Sequence, residues 1–155
     1  FEALQQNIAE YELDDVELVQ KAIWTQESEL QFHQDGADAG HVVQDDEENA
    51  TISVKACSLQ PYLQEPVDFL KLDIEGAEVD VLLDCAAELA NVQHLFVEYH
   101  SFADQPQRLN ELTGVLSNAG FRYQIHTQFA SRQPLRSRSL QAGMDLQLNV
   151  FAYRE

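Results

Sequence analysis

Five side chains suited to catalysis or ligand binding lie where two predicted strands, residues 67–73 and 92–99, come to an end. Four carry carboxylates and one carries an imidazole: Asp73, Glu75, Glu78, Glu98 and His100. In open α/β sheets, ligands bind at the carboxyl ends of the strands. Neighbouring strands lie about 4.8 Å apart. We therefore expect the two groups of side chains to face one cleft.

These residues allow more than one interpretation. His100 suits a general base, because imidazole is matched to neutral pH. Asp73, Glu98 and His100 together carry the oxygen and nitrogen donors of a metal site. The simpler alternative is that Asp73, Glu75 and Glu78 are first-turn acids that favour the positive end of a helix dipole. Glu98 and His100 would then belong to a surface loop.

The elements around these residues alternate between strands and helices. The pattern predicts a helix over residues 1–8, a strand over 16–24 and a β-rich excursion over 25–58. A helix to about Leu89 follows the 67–73 strand, and a helix capped by Asp104 and stopped by Gly120 follows the 92–99 strand. Two final strands, 121–125 and 146–153, have no helix between them. This order predicts an α/β fold with a mostly parallel, doubly wound sheet and an antiparallel hairpin at one edge.

Composition narrows the class of protein. The 155 residues suggest a single domain, and 27 acidic against 9 basic residues give a formal charge of −18. Such a charge argues against nucleic acid as a partner, because phosphates would be repelled.

No apolar run approaches the roughly 20 residues of a membrane span. Cys57 and Cys85 form no disulfide framework or metal motif, which favours a reduced, cytoplasmic setting. The acidic run 45–48 is interpreted as a solvated loop, since it lacks the glycine and spacing of a calcium loop.

The central run, residues 67–78, reads VDFLKLDIEGAE. It closely resembles the signature of the FkbM family, which are S-adenosylmethionine-dependent methyltransferases of the class I, Rossmann-like type. The flanking segments also resemble elements of the family. Residues 1–8 resemble its second helix, residues 16–22 its third strand, residues 96–100 its fifth strand and residues 149–152 its last strand. The resemblance covers nearly the whole chain.

The resemblance implies a cofactor and its binding residues. The cofactor is S-adenosylmethionine, which Asp73, Glu75 and Gly76 would help to bind, with Asp73 near its methionine part. Lys21 and Ala22 would lie near its adenine.

The implied reaction is methyl transfer to an oxygen, usually a hydroxyl of a carbohydrate or another small natural product. The sulfonium already activates the methyl group, so the protein must align the acceptor and remove a proton. The catalytic residues expected from this are Asp73, Glu98 and His100, without a metal ion. The loop over residues 126–145 is either a substrate lid or a mobile hairpin loop. As a lid it would offer three arginines to an anionic acceptor: Arg132, Arg136 and Arg138.

The chain departs from the family pattern at its start. The first strand, the glycine-rich loop, the first helix and the second strand are absent from these residues. Strands one and two normally lie between strands three and four, so strand three is expected to have no neighbour. We therefore expect the C-terminal part of a methyltransferase domain, which by itself is inactive and does not bind the cofactor tightly. Two rival functions are a non-catalytic remnant that binds a partner through its acidic surface, and a metal-dependent O-methyltransferase with Asp73 and Glu98 as ligands.

Overall fold

The chain forms two four-stranded sheets and three α-helices within residues 1–35, 39–42 and 51–155, which the computed structural model describes. The helices are α1 (Glu2–Glu10), α2 (Glu78–Asp84) and α3 (Leu109–Asn118). The strands are β1 (Ala22–Trp24), β2 (Ser28–Asp35), β3 (Ala39–Val42), β4 (Thr51–Ser58), β5 (Val67–Leu72), β6 (Val92–Phe102), β7 (Arg122–Ala130) and β8 (Met144–Tyr153). The acidic run 45–48 lies outside the described residues.

The second sheet has the strand order β5-β6-β8-β7 and carries the central motif. β5 runs parallel to β6, whereas β8 is antiparallel to both β6 and β7. The predicted antiparallel hairpin at one edge is therefore confirmed. The predicted mostly parallel sheet is not confirmed, because both sheets are mixed and only β1–β4 and β5–β6 pair in parallel among the described strands.

The first sheet has the order β1-β4-β2-β3 and corrects two expectations about the 16–24 segment. Only its last three residues, Ala22–Trp24, form a strand. Val16 and Val19 remain 43% and 37% exposed, so this part of the segment gains little from burial. β1 is not isolated either, since it pairs in parallel with β4, with Ala22 opposite Ala56.

The main core lies between the second sheet and the two helices that follow its parallel strands. Leu82 of α2 and Leu112 and Leu116 of α3 are fully buried in the same cluster as Val97 of β6 and Val150 of β8. This burial explains why the apolar positions of these segments repeat with helical and strand periods. By contrast, α1 forms as predicted but buries none of its residues.

The helix boundaries differ from those predicted. α2 ends at Asp84, and a 3-10 turn over Glu88–Asn91 takes the place of its predicted last turn. α3 begins at Leu109 with Arg108 at the N-cap position, so Asp104 does not cap it. The hydroxyl of Tyr99 accepts a hydrogen bond from the Arg108 backbone N–H at 2.9 Å, and among the described residues no side chain caps the first turn of α3. No helix in the described part of the chain has the length and apolar character needed to cross a membrane.

Candidate functional site

The loop between β5 and α2 has a backbone that depends on glycine. Gly76 has φ +106°, a conformation that side chains with a Cβ rarely adopt. A Cβ at this position would lie 2.9 Å from Cε2 of Phe102, so the loop passes directly over that ring. Glu75 also has a positive φ, 56°. The central motif therefore forms a tight turn over the end of β6.

Glu78 and His100 form a buried pair beneath this loop. Their side chains are each 1% exposed, and Nδ1 of His100 lies 2.9 Å from Oε1 of Glu78. The same oxygen accepts hydrogen bonds from the backbone N–H groups of Ile74, at 3.2 Å, and Gly76, at 3.0 Å. Glu78 therefore joins the loop to β6, although it also stands at the start of α2 as the first-turn interpretation proposes.

The other ring nitrogen of His100 faces polar side chains at the edge of the sheet. His100 Nε2 lies 3.6 Å from Oε2 of Glu75 and 3.4 Å from Nε2 of Gln147. Gln147 also donates a hydrogen bond to Oε1 of Glu98. His100 lies within β6, not after it, because β6 continues to Phe102. The expectation that Glu98 and His100 belong to a surface loop is therefore wrong.

Gln147 is a site residue that the sequence does not reveal. It sits opposite His100 because β8 pairs with β6 in antiparallel register. That register depends on a pairing between segments 47 positions apart. A lone glutamine in an amphipathic strand carries no signal of such a role.

Two groups at the site have raised pKa values. Burial opposes the charged form of His100, but the hydrogen bond and charge of Glu78, together with the charges of Glu75 and Glu98, outweigh it and raise the pKa. Burial also raises the pKa of the Glu75 carboxyl, while the nearby His100 partly offsets the effect. Both groups therefore hold protons to higher pH than they would in an unfolded chain.

Three side chains at this edge are close enough together to surround a small cation. The ligand atoms of Asp73, Glu75 and His100 lie within 4.8 Å of one another, and they form the one such group found in the described part of the chain. Glu98 is not a member of this group, so the group does not contain the Asp73–Glu98 pair of the metal-dependent interpretation. Asp73 already binds Nζ of Lys71 through Oδ2 at 2.6 Å, and that ammonium disfavours a second cation.

Of the two residues expected near the adenine, Ala22 lies in the first sheet and Lys21 directly before it. Ala22 begins β1, and Lys21 precedes it with Nζ 3.1 Å from Oε1 of Glu27. Within the described residues, no hydrogen bond or ion pair links either of them to the loop after β5. The expected contact of Lys21 and Ala22 with the adenine stays a prediction.

The loop with the arginines is shorter than expected, because β7 and β8 extend to Ala130 and from Met144. Within it, the Ser131 hydroxyl accepts from the backbone N–H of Ser139 at 2.8 Å. The carbonyl of Gln133 accepts from Arg136 at 2.9 Å. The loop is thus an internally bonded turn, and its three arginine side chains are exposed.

Comparison with known proteins identifies the family of the chain. Residues 3–123 match the family model described as the methyltransferase FkbM domain. The chain belongs to the FkbM methyltransferase family. The match spans β5, α2 and β6 of the FkbM domain, and so includes every site residue described above except Gln147. Neither a curated protein nor a solved structure matches the chain significantly.

Proposed function

We propose that this FkbM domain transfers a methyl group from S-adenosylmethionine to a hydroxyl oxygen of a carbohydrate or another small natural product. The observation that supports this most is the placement of Asp73, Glu75 and His100 at one edge of the sheet, with ligand atoms within 4.8 Å of one another. That edge holds the carboxyl ends of the parallel strands β5 and β6, where α/β folds bind ligands.

The residues present fit one part of the cofactor. The side chains of Asp73 and Glu75 are 29% and 37% exposed, so their carboxylates remain accessible to the cationic groups of the methionine part. Gly76 keeps the loop close to the sheet, as the short distance to Phe102 shows. Bound S-adenosylmethionine supplies a methyl group that is already activated by its sulfonium. Contacts of Lys21 and Ala22 with the adenine remain part of the proposal.

The chain's own residues would orient the acceptor and take its proton. Nε2 of His100 faces Glu75 and Gln147, on the side of the ring that points away from Glu78. As a neutral imidazole it can accept the hydroxyl proton as the new oxygen–carbon bond forms. Glu98 is held by Gln147 and can accept a hydrogen bond from a second hydroxyl of the acceptor. These roles for Asp73, Glu98 and His100 are proposed on geometry alone.

The glycine-rich cofactor loop of the family pattern does not occur in the 155 residues. We therefore include in the proposal that these residues are the C-terminal part of the domain and do not bind the cofactor tightly by themselves. Cys57 and Cys85 are both free and buried, which fits a reducing compartment such as the cytoplasm. The test should accordingly use the protein expressed from its complete reading frame.

The deciding experiment follows labelled methyl transfer from S-adenosylmethionine to a panel of polyhydroxylated acceptors. The wild-type protein is expected to label at least one of them. Asp73→Asn is expected to abolish labelling, and the matched variant Asp68→Asn, at an exposed position within β5, is expected to retain it. A folded wild-type protein that neither binds the cofactor nor labels any acceptor would favour the non-catalytic remnant.

A metal-dependent form of the same reaction is the second candidate, because Asp73, Glu75 and His100 can surround a cation. The ion pair of Asp73 with Lys71 opposes it. We therefore expect labelling to survive exhaustive chelation. Loss of labelling that is restored by a divalent cation would instead support the metal-dependent form.

A further inference from the structure

Glu78 is the one charged side chain in the described residues that is buried beside a candidate base. Its side chain is 1% exposed, and its Oε1 receives two backbone N–H groups and faces Nδ1 of His100 at 2.9 Å. Its second oxygen, Oε2, is also buried and meets no donor among the described residues. A carboxylate is costly to bury, so it persists only where such bonds compensate.

These bonds determine which nitrogen of His100 carries the proton. An oxygen that already accepts two backbone N–H groups acts as an acceptor towards Nδ1 as well, so Nδ1 is the donor. In the neutral imidazole the lone pair then lies on Nε2. Nε2 is the nitrogen that faces Glu75 and Gln147 at the edge of the sheet. The buried carboxylate thus leaves the lone pair on the nitrogen that faces Glu75 and Gln147.

We propose that Glu78 is a positioning residue that holds His100 in the Nδ1-protonated tautomer and strengthens Nε2 as the base for methyl transfer. The inference rests on the proposed function of the domain. It adds a residue that acts on the reaction through His100.

The competing explanation is that Glu78 merely fastens the loop to the sheet. Both explanations predict that Glu78→Ala harms the fold, because Ile74 and Gly76 would lose their acceptor. The variant Glu78→Gln distinguishes the two explanations. A glutamine Oε1 can still accept from the two backbone groups and from His100 Nδ1, but it carries no negative charge.

The charges that face His100 determine how that variant should behave. Glu78 and Glu75 lie 2.9 and 3.6 Å from its ring nitrogens, and Glu98 acts through Gln147. Removing the nearest of these charges weakens the base. We expect Glu78→Gln to lower the rate of methyl transfer by roughly tenfold, a part of the 10²–10⁴-fold that general base catalysis typically provides. The acid limb of the pH–rate profile should shift to lower pH.

The experiment compares wild type, Glu78→Gln and the control Glu111→Gln in the protein expressed from its complete reading frame. Glu111 is also a first-turn helix acid in an ion pair, with Arg108, and it makes no contact with His100. Nitrogen NMR of the labelled imidazole reads the tautomer directly, without any need for turnover. Circular dichroism checks that each variant is folded.

Three results support the proposal together: a wild-type His100 protonated on Nδ1, a shifted acid limb in Glu78→Gln, and an unshifted limb in Glu111→Gln. A wild-type His100 protonated on Nε2 would overturn it, as would a folded Glu78→Gln with the wild-type profile. Absence of methyl transfer from the wild-type protein would instead refute the proposed function itself.

Discussion

Gly76→Ala is expected to destabilise the protein through two separate costs. A residue with a Cβ held at positive φ loses roughly 1–2 kcal/mol. Cβ would also lie 2.9 Å from Cε2 of Phe102, so the ring must move, which costs about 0.5–1.5 kcal/mol if it leaves its rotamer. The smaller conformational entropy of the unfolded alanine chain returns about 0.4–1 kcal/mol. The net loss is about 2 kcal/mol of the free energy of unfolding.

Urea and thermal unfolding measure this loss. At the size of this chain, 1 kcal/mol corresponds to a change of roughly 2–4 °C in Tm, so we expect Tm to fall by about 4–8 °C. Gly114→Ala is the matched control, because Gly114 lies inside α3 with nothing within 4 Å of a Cβ. It should stabilise the protein by about 0.5–1 kcal/mol. Equal effects of the two substitutions, or a Gly76→Ala protein as stable as wild type, would refute the loop geometry.

Further expected outcomes concern stability and cofactor binding. Because the folded-state pKa values of His100 and Glu75 are raised, the stability that they contribute is present at low pH and is lost as pH rises through those values. The urea midpoint should therefore fall as pH rises above the usual glutamate and histidine pKa values, about 4.3 and 6.5, and His100→Asn should flatten the part of the fall that lies above about 6.5. Tyr99→Phe should cost about 0.5–1.5 kcal/mol of unfolding free energy, because the part-buried N–H of Arg108 loses its acceptor at 2.9 Å; a midpoint equal to wild type would contradict this. Calorimetry of the 155-residue chain with S-adenosylmethionine should show no binding tighter than millimolar, and a micromolar affinity would refute the expected incompleteness.

Part of the site could be predicted from the sequence because it follows from a general property of parallel strands. Residues at the carboxyl ends of adjacent parallel strands meet at one edge, and Asp73, Glu75 and His100 do so. The roles given to them stay predictions. Glu78 could not be assigned, because a carboxylate in a first helical turn satisfies the helix dipole whether it points to solvent or to a neighbour. The Glu78 side chain points to a neighbour because His100 lies next to it in β6, and the sequence does not show this proximity.

The fold shows the same division between local and long-range determinants. Local periodicity predicts α1, the strands of the second sheet and the final hairpin, and these form. The sequence pattern does not predict which strands pair. β1 therefore joins β4 of the β-rich excursion, although the family pattern places strands one and two beside it. The partner of a strand depends on the other strands around it, and the sequence of one strand does not specify that partner.

Labelled methyl transfer by wild-type and Asp73→Asn protein, expressed from the complete reading frame, tests the proposed function most directly. We expect the wild-type protein to move the labelled methyl group from S-adenosylmethionine to a hydroxylated acceptor and the folded Asp73→Asn protein to move none. Wild-type turnover in the folded Asp73→Asn protein would contradict the site that is assigned at the end of β5.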